Sequence, residues 1–143
     1  MLVDTHAHIN MMVKKSFDTI MTQNELSEAQ SIINDAHHAD VTRIINVGTS
    51  VEESANCILL AQTYESVFAV VGIHPNDLHD DWKSQMSEIK KFVTRKKENK
   101  IVGIGECGLD FHYPGYIIQR QKDAFKAQIE MALEHDLALV VHT

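Results

Sequence analysis

Met1-Leu2-Val3-Asp4-Thr5-His6-Ala7-His8 opens the chain, and the fold turns on whether this stretch is a strand. An apolar start runs directly into two histidines one residue apart. In an extended strand alternate side chains share a face, so Asp4, His6 and His8 point together. Two imidazoles stacked along one strand can converge on one metal ion, each supplying a neutral nitrogen at about 2.0–2.1 Å. A bare His-x-His is equally what a strand end with two half-exposed histidines looks like. The pattern therefore needs further ligands arriving from elsewhere in the chain.

Working outward, a long connection runs from Ile9 to about Gln23 and carries Met11, Met12 and Phe17. It exceeds the usual βα loop of about 2–6 residues, so a lid or substrate wall is expected there. Leu26, Ala29, Ile33 and Ala36 then step by three and four, the spacing of a helix face. Thr22 with Glu25 reads as its capping box. Arg43-Ile44-Ile45-Asn46-Val47 is a short apolar strand stopped by Gly48. Ser50 with Glu53 is a second capping box, opening a helix with Ala55, Ile58 and Leu59 as its buried stripe.

Val67 to Ile73 follows as a strand apolar on both faces, ending in His74-Pro75. Asp81 is placed to cap the next helix, whose inner stripe is Trp82, Met86, Ile89 and Val93. Ile101 to Glu106 is the fourth strand, with Val102 and Ile104 expected to face inward. A helix from about Ile117 carries Phe125, Ile129 and Leu133 on one side. Leu137 to His142 is a fifth strand. The order β-α-β-α-β-α-β-α-β, with strands apolar on both faces, is that of a parallel sheet covered by helices.

The composition suits this architecture. At 143 residues, 44% hydrophobic and 23% charged, the chain has the length of one domain and enough apolar surface for a core. No apolar run approaches the ~20 residues that span a bilayer. The start has no positively charged region leading into an apolar one, so a cytoplasmic protein is expected. Cys57 and Cys107 make neither a disulfide framework nor a CxxC zinc site. The net charge of −7 argues against broad electrostatic binding to nucleic acid. It leaves nucleic acid open as a substrate, because divalent metals in a pocket supply positive charge locally. Lys90, Lys91, Arg95, Lys96 and Lys97 gather near the C-terminal end of a helix, where cations suit the helix dipole, and read as a solvated face.

The nine histidines are many for this length. His6 and His8 end the first strand, His74 the third, Glu106 the fourth and His142 the fifth. In a (β/α)₈ barrel the carboxyl ends of the strands form the active-site face, where side chains from different strands converge. Strands that merely emerge into solvent would carry Ser, Asn, Lys or Asp as readily as His and Glu. In this reading His6 and His8 hold one metal, and Glu106 bridges to a second bound by His142. Two ions ~3.5–4 Å apart clamp the attacking and leaving oxygens of a phosphoryl displacement. Gly103 and Gly105 let neighbouring backbone come close beside Glu106. His/Glu sites admit Zn, Mn, Mg or Fe.

Four segments carry a family resemblance: Val3-Asp4-Thr5-His6-Ala7-His8, Val71-Gly72-Ile73-His74-Pro75, Ile104-Gly105-Glu106-Cys107-Gly108-Leu109-Asp110-Phe111 and Val140-Val141-His142. In order and spacing they resemble successive motifs of the TatD-related deoxyribonucleases, metal-dependent hydrolases of the amidohydrolase type. The resemblance implies a TIM (β/α)₈ barrel, a divalent-metal pair (Zn, Mg or Mn) and hydrolysis of DNA phosphodiesters, often exonucleolytic. It implies metal ligation by His6, His8, Glu106 and His142, with Glu106 as the bridging, catalytic carboxylate. It also places His74 and Asp110 in the site as residues that contact substrate or support the ligands.

A whole barrel has eight strands in about 250 residues; this chain covers about five. Residues 1–143 are thus expected to be the N-terminal portion of one such barrel, inactive by itself, with the C-terminal half its missing partner. The family's next histidine, its late Asp ligand and the Arg expected two residues after His142 have no counterpart here. The rival readings are another metal-dependent barrel hydrolase, such as a PHP-type phosphoesterase or an amidohydrolase acting on C–N bonds, and a non-catalytic metal-binding fragment. The G-E-x-G-L-D segment favours the deoxyribonuclease.

Overall fold

The computed structural model of the chain describes residues 1–142. β1 (Leu2–Ala7), β2 (Val41–Val47), β3 (Val67–Val71), β4 (Ile101–Gly108) and β5 (Ala138–His142) form one sheet in sequence order. Every neighbouring pair is parallel. Parallel neighbours need a crossover between them, and helices supply it at each step, so the sheet curls as half of a (β/α)₈ barrel. All five strands therefore present their carboxyl ends on one side, and that side carries the site.

The helices start where local chemistry lets them. At α2 (Gln23–His38) the Thr22 hydroxyl accepts the Glu25 N–H while the Glu25 carboxylate accepts the Thr22 N–H, a complete capping box. Its expected apolar face holds, with Leu26, Ala29 and Ile33 buried. At α3 (Val51–Thr63) the Ser50 hydroxyl accepts the Glu53 N–H at 3.2 Å. The return half of that box is replaced by another use of Glu53, whose carboxylate turns to Lys14 and Asn10. The buried side of α3 is correspondingly Ser54, Cys57, Leu60 and Ala61 beside Ile58, with Ala55 and Leu59 only half-buried.

α4 (Trp82–Thr94) buries Met86, Ile89 and Val93 as its spacing predicts. Asp81 makes no side-chain cap, because its carboxylate instead accepts from the Gln85 amide at 3.0 Å. α5 (Ile118–His135) departs most from expectation. Its buried side is Gln121, Ala124, Gln128, Met131 and Ala132, while Phe125 and Ile129 are half-buried and Leu133 is 77% exposed. The helix is rotated so that its glutamines meet polar backbone at the ends of β3 and β4. A short helix, α1 (Ile9–Val13), lies within the connection that the spacing left irregular.

The core fills the space between the sheet's outer face and the helices, with Ile44, Val67, Ala69, Val71 and Ile73 meeting Leu26, Ile33, Leu60 and Ile89. Ile104, expected on the inner side, is fully buried in this outer core with Ile101, whereas Val102 is half-buried. The β3–β4 pairing skips a residue between Ala69↔Ile101 and Val70↔Gly103. Such a slip changes which face a side chain takes, so strict alternation fails there. β1 and β5 are the sheet's two edges, and Leu2, Val3 and Val141 on them are exposed.

Candidate metal centre

The strand ends bring the expected residues together. β1 stops at Ala7, and the chain turns at His8 into α1. Asn46 of β2, fully buried, governs that turn: its side-chain oxygen accepts the Ile9 N–H at 2.6 Å and its NH₂ donates to Asn10 Oδ1 at 2.8 Å. His8 is thereby aimed inward, where its Nδ1 sits 2.8 Å from the Val47 carbonyl oxygen. Its Nε2 lies 3.2 Å from Nε2 of His6. Asp4, expected on the same face, takes no part, because its carboxylate accepts the His6 N–H of its own strand.

Glu106 rises from β4 between these histidines and those of later strands. Its Oε2 is 3.2 Å from His6 Nε2 and 3.7 Å from His8 Nε2. Its Oε1 is 3.0 Å from His142 Nδ1 and 4.0 Å from His74 Nε2. Gly105 permits this approach: its φ is +143°, and a Cβ there would stand 2.5 Å from the Val140 carbonyl oxygen of β5. His142 also reaches Asp110, with Nε2 3.1 Å from Oδ2. Asp110 is steadied by the Asn76 amide at 2.7 Å and by the His112 N–H at 2.8 Å. Two groups could each hold a metal ion, one of His6, His8 and Glu106 and one of His74, Asp110 and His142.

Two buried glutamines of α5 that the apolar spacing passed over set this geometry. Gln128 of α5 accepts the Ile73 N–H at 2.9 Å and donates to the Ile73 carbonyl at 3.0 Å, fixing the backbone just before His74. Gln121 does the same at Asp110, accepting its N–H at 2.9 Å and donating to its carbonyl at 2.7 Å. The signal available in the sequence was two glutamines seven residues apart, flanking Ala124 at core spacing. A long amide in such a position needs a buried partner.

The electrostatics suit a cation. Burial pushes the Glu106 carboxyl up, but the His142 hydrogen bond and the neighbouring His74, His6 and His142 outweigh it and hold it below the ordinary carboxylate value. Hydrogen bonds from the His112 backbone and the Asn76 amide likewise hold Asp110 down. His74 is held below the ordinary imidazole value by burial and then by the nearby His142. The Cys107 thiol is pushed up to about 12 by burial and by Glu106, and its Sγ faces the Val140 carbonyl oxygen at 3.5 Å.

Tautomers sharpen the fit. The Val47 carbonyl and the Asp110 carboxylate only accept, so His8 Nδ1 and His142 Nε2 carry the protons that face them. In their neutral forms His8 Nε2 and His142 Nδ1 are then left with lone pairs directed at His6 and Glu106, whereas a protonated His142 donates from Nδ1 to Glu106. A cation between these nitrogens and oxygens would suit their 3.0–3.2 Å approaches. Ligand nitrogens about 2.0–2.1 Å from a tetrahedral ion stand about 3.3 Å apart, close to the spacings of His6, His8 and Glu106. His74 is reversed: its Nδ1 accepts the Asn76 N–H at 3.1 Å, so its proton sits on Nε2, toward the site.

A parallel half-barrel that gathers histidine and carboxylate side chains at its strand ends has the architecture of a (β/α)-barrel protein with its site on that face. The family model described as TatD related DNase matches residues 3–143, and the chain belongs to that family. It is 31% identical to an uncharacterized metal-dependent hydrolase, YabD, of Bacillus subtilis, over 99% of this chain and 50% of that protein. It is 32% identical to a protein named 3'-5' ssDNA/RNA exonuclease TatD from Dickeya dadantii, over 81% of this chain and 43% of that one. The chain spans about half the length of the curated relatives it matches. Among solved structures, the TatD homolog YjjV of Escherichia coli superposes with a TM-score of 0.79 at 24% identity, over 99% of this chain and 50% of that one, a likeness of fold. No helix among the described residues is long and apolar enough to cross a membrane.

Proposed function

We propose that residues 1–143 form the N-terminal part of a barrel that hydrolyses nucleic-acid phosphodiesters at a pair of divalent metal ions. One observation carries this reading. The two oxygens of Glu106 face nitrogens from separate strands, Oε2 toward His6 and His8 and Oε1 toward His142. A carboxylate so placed suits a bridge between two ions. The relatives, one named a metal-dependent hydrolase and one a single-stranded DNA and RNA exonuclease, suggest the bond class.

His6, His8 and Glu106 would hold one ion, and Glu106 with His142 the other. When bound, such ions polarise a phosphoryl oxygen and acidify a water. The chain's own residues do the rest. Val47 and Asp110 keep the N–H groups of His8 and His142 turned away from the site, so each presents a lone pair to it. Glu106 stays ionised under the influence of its histidines. His74, with its proton on Nε2, is a donor aimed where a phosphoryl oxygen would lie. Asp110 orients His142, the supporting role its position implies. The cleft beside Glu106, about 560 Å³ and walled by Met11, Phe17 and Thr49, is where the substrate strand would enter.

The test has two arms. Mn²⁺ titrated into the 143-residue chain should bind, and binding should be lost in His6→Ala/His8→Ala. With the remaining barrel strands supplied, a single-stranded oligodeoxynucleotide should be cleaved in Mn²⁺ and left whole in EDTA. Undiminished cleavage in metal-free buffer would rule the mechanism out.

A further inference from the structure

The exposed aromatic rings are not scattered over this molecule. Among the described residues four aromatic side chains are exposed: Phe17, Phe111, Tyr113 and Tyr116. Phe17 stands on the β1–α2 connection and lines the cleft beside Glu106. The other three stand on the β4–α5 connection, which carries Asp110 near its start. An aromatic ring left in water forgoes the burial that would stabilise it, so four on the two connections flanking one site call for an occupant.

The β4–α5 connection is built to display them. Pro114 and Gly115, the latter at φ +90°, form a tight turn that sets Tyr113 and Tyr116 at its two ends. Phe111 and Tyr116 pack with ring centroids 5.0 Å apart, and His112 and Tyr113 at 4.9 Å. Between this turn and Pro75–Leu78 lies a cleft of about 310 Å³, lined also by Asn76 and Arg120. Arg120 braces it by donating to the Leu78 carbonyl and pairing with Asp80. Asn76 joins the cleft to the candidate metal centre, since its amide holds Asp110.

We propose that Tyr113 and Tyr116, with Phe111 behind them, form a stacking subsite for a nucleobase of the substrate strand, and that Phe17 receives a base in the neighbouring cleft beside Glu106. This inference rests on the reading of the site as a phosphodiesterase. The occupant is a single strand, because bases paired in a duplex present no free face. Charge favours stacking as the source of affinity. The chain carries −7, and several residues of its basic cluster are engaged in pairs on the far helices: Lys90 with Glu134, Lys91 with Glu88 and Arg95 with Glu98. Stacking on aromatic rings tolerates any base sequence.

The experiment compares two probes that share their phosphates. An eight-nucleotide oligothymidylate and an abasic oligomer of equal length are titrated into the 143-residue chain in EDTA, with tyrosine fluorescence and anisotropy as readouts. The base-bearing strand should bind about tenfold tighter or more, and its affinity should fall only shallowly with salt. Tyr113→Leu/Tyr116→Leu should remove that discrimination, and Tyr113→Phe/Tyr116→Phe should retain it. Both side chains are exposed, so far-UV circular dichroism should match the parent. Equal binding of the two oligomers, no binding of either, or discrimination that survives the leucine pair would overturn the subsite. The phosphodiesterase reading is judged separately by Mn²⁺ binding at Glu106 and by cleavage with the barrel completed. Base discrimination without cleavage would leave the subsite standing and remove the enzyme.

Discussion

Lys14 and Glu53 form an ion pair that water does not reach, each side chain being 1% exposed. Three further donors converge on the same carboxylate: the Asn10 amide at 2.6 Å, the Asp18 N–H at 3.0 Å and the Asn56 amide at 3.2 Å. The pair ties the β1–α2 connection to the first turn of α3. The wall of the cleft that bears Met11 and Phe17 is therefore held by chemistry and not by apolar packing alone.

Removing one member leaves the other buried without its counter-charge, at a cost of about 3–5 kcal/mol. Lys14→Met should lower stability by that amount in urea unfolding, and Glu53→Gln comparably, since one amide oxygen cannot replace both carboxylate oxygens, of which Oε1 accepts from Lys14 and Asp18 and Oε2 from Asn10 and Asn56. Burial raises the Glu53 carboxyl, but the bonds from Lys14, Asn10, Asn56 and Asp18 outweigh it and leave it lowered from 4.5. A depressed carboxyl contributes stability above its unfolded value and loses it as pH falls through the folded one. Acid unfolding of the parent should begin below about pH 4.5, and this limb should flatten in Glu53→Gln. A loss under ~1 kcal/mol in Lys14→Met would mean that the connection does not need the pair.

The proposed roles of Glu106 and Asp110 differ by kind, and metal affinity separates them. A residue that only orients a ligand typically costs about 10–100-fold when removed. Asp110→Asn should weaken Mn²⁺ binding within that range, since His142 keeps its lone pair but loses its orientation. Glu106→Gln removes a charged donor shared by both ions and should exceed it, with the circular dichroism of the parent retained. Isothermal titration measures both. Equal losses for the two variants would refute the assignment.

Much of this was legible in the strands. Period and flanking turns placed five strands and their order, and the strand ends pointed to His6, His8, His74, Glu106 and His142, which the fold brings together. What escaped was side-chain polarity used inside the fold. Asn46, Glu53, Gln121 and Gln128 are buried polar groups whose partners are distant in sequence, from 11 residues at Gln121 to 55 at Gln128. Helical spacing identifies a buried face from apolar residues, so α5 was turned the wrong way by Phe125, Ile129 and Leu133. The slip in β3–β4 register similarly defeated alternation at Ile104.

Gln128 offers a test of how far that hidden polarity reaches. It satisfies both the N–H and the carbonyl of Ile73, next to His74. Gln128→Leu keeps the size and strands two buried backbone groups, each worth about 1–3 kcal/mol. The melting temperature should drop, and His74 should lose its fixed position. Gln128→Glu still accepts the N–H but no longer donates, and should fall between. A leucine variant as stable as the parent would show that other groups close the end of β3.

The sheet's edges carry the last expectation. β1 pairs only with β2 and β5 only with β4, so the outer side of each presents unpaired N–H and C=O groups. Parallel sheets are ordinarily covered on both faces, and open edges template pairing with other chains. Leu2, Val3 and Val141 add exposed apolar surface along the same strands. Residues 1–143 alone should therefore self-associate through these edges, as analytical ultracentrifugation would record. Charged residues on an edge oppose such pairing, so Val3→Lys with Val141→Lys should shift the population toward monomer while leaving Mn²⁺ binding at His6 and His8 intact. A parent chain that stays monomeric with a sharp melt at the highest concentration reached would show that the half-barrel is stable with its edges open.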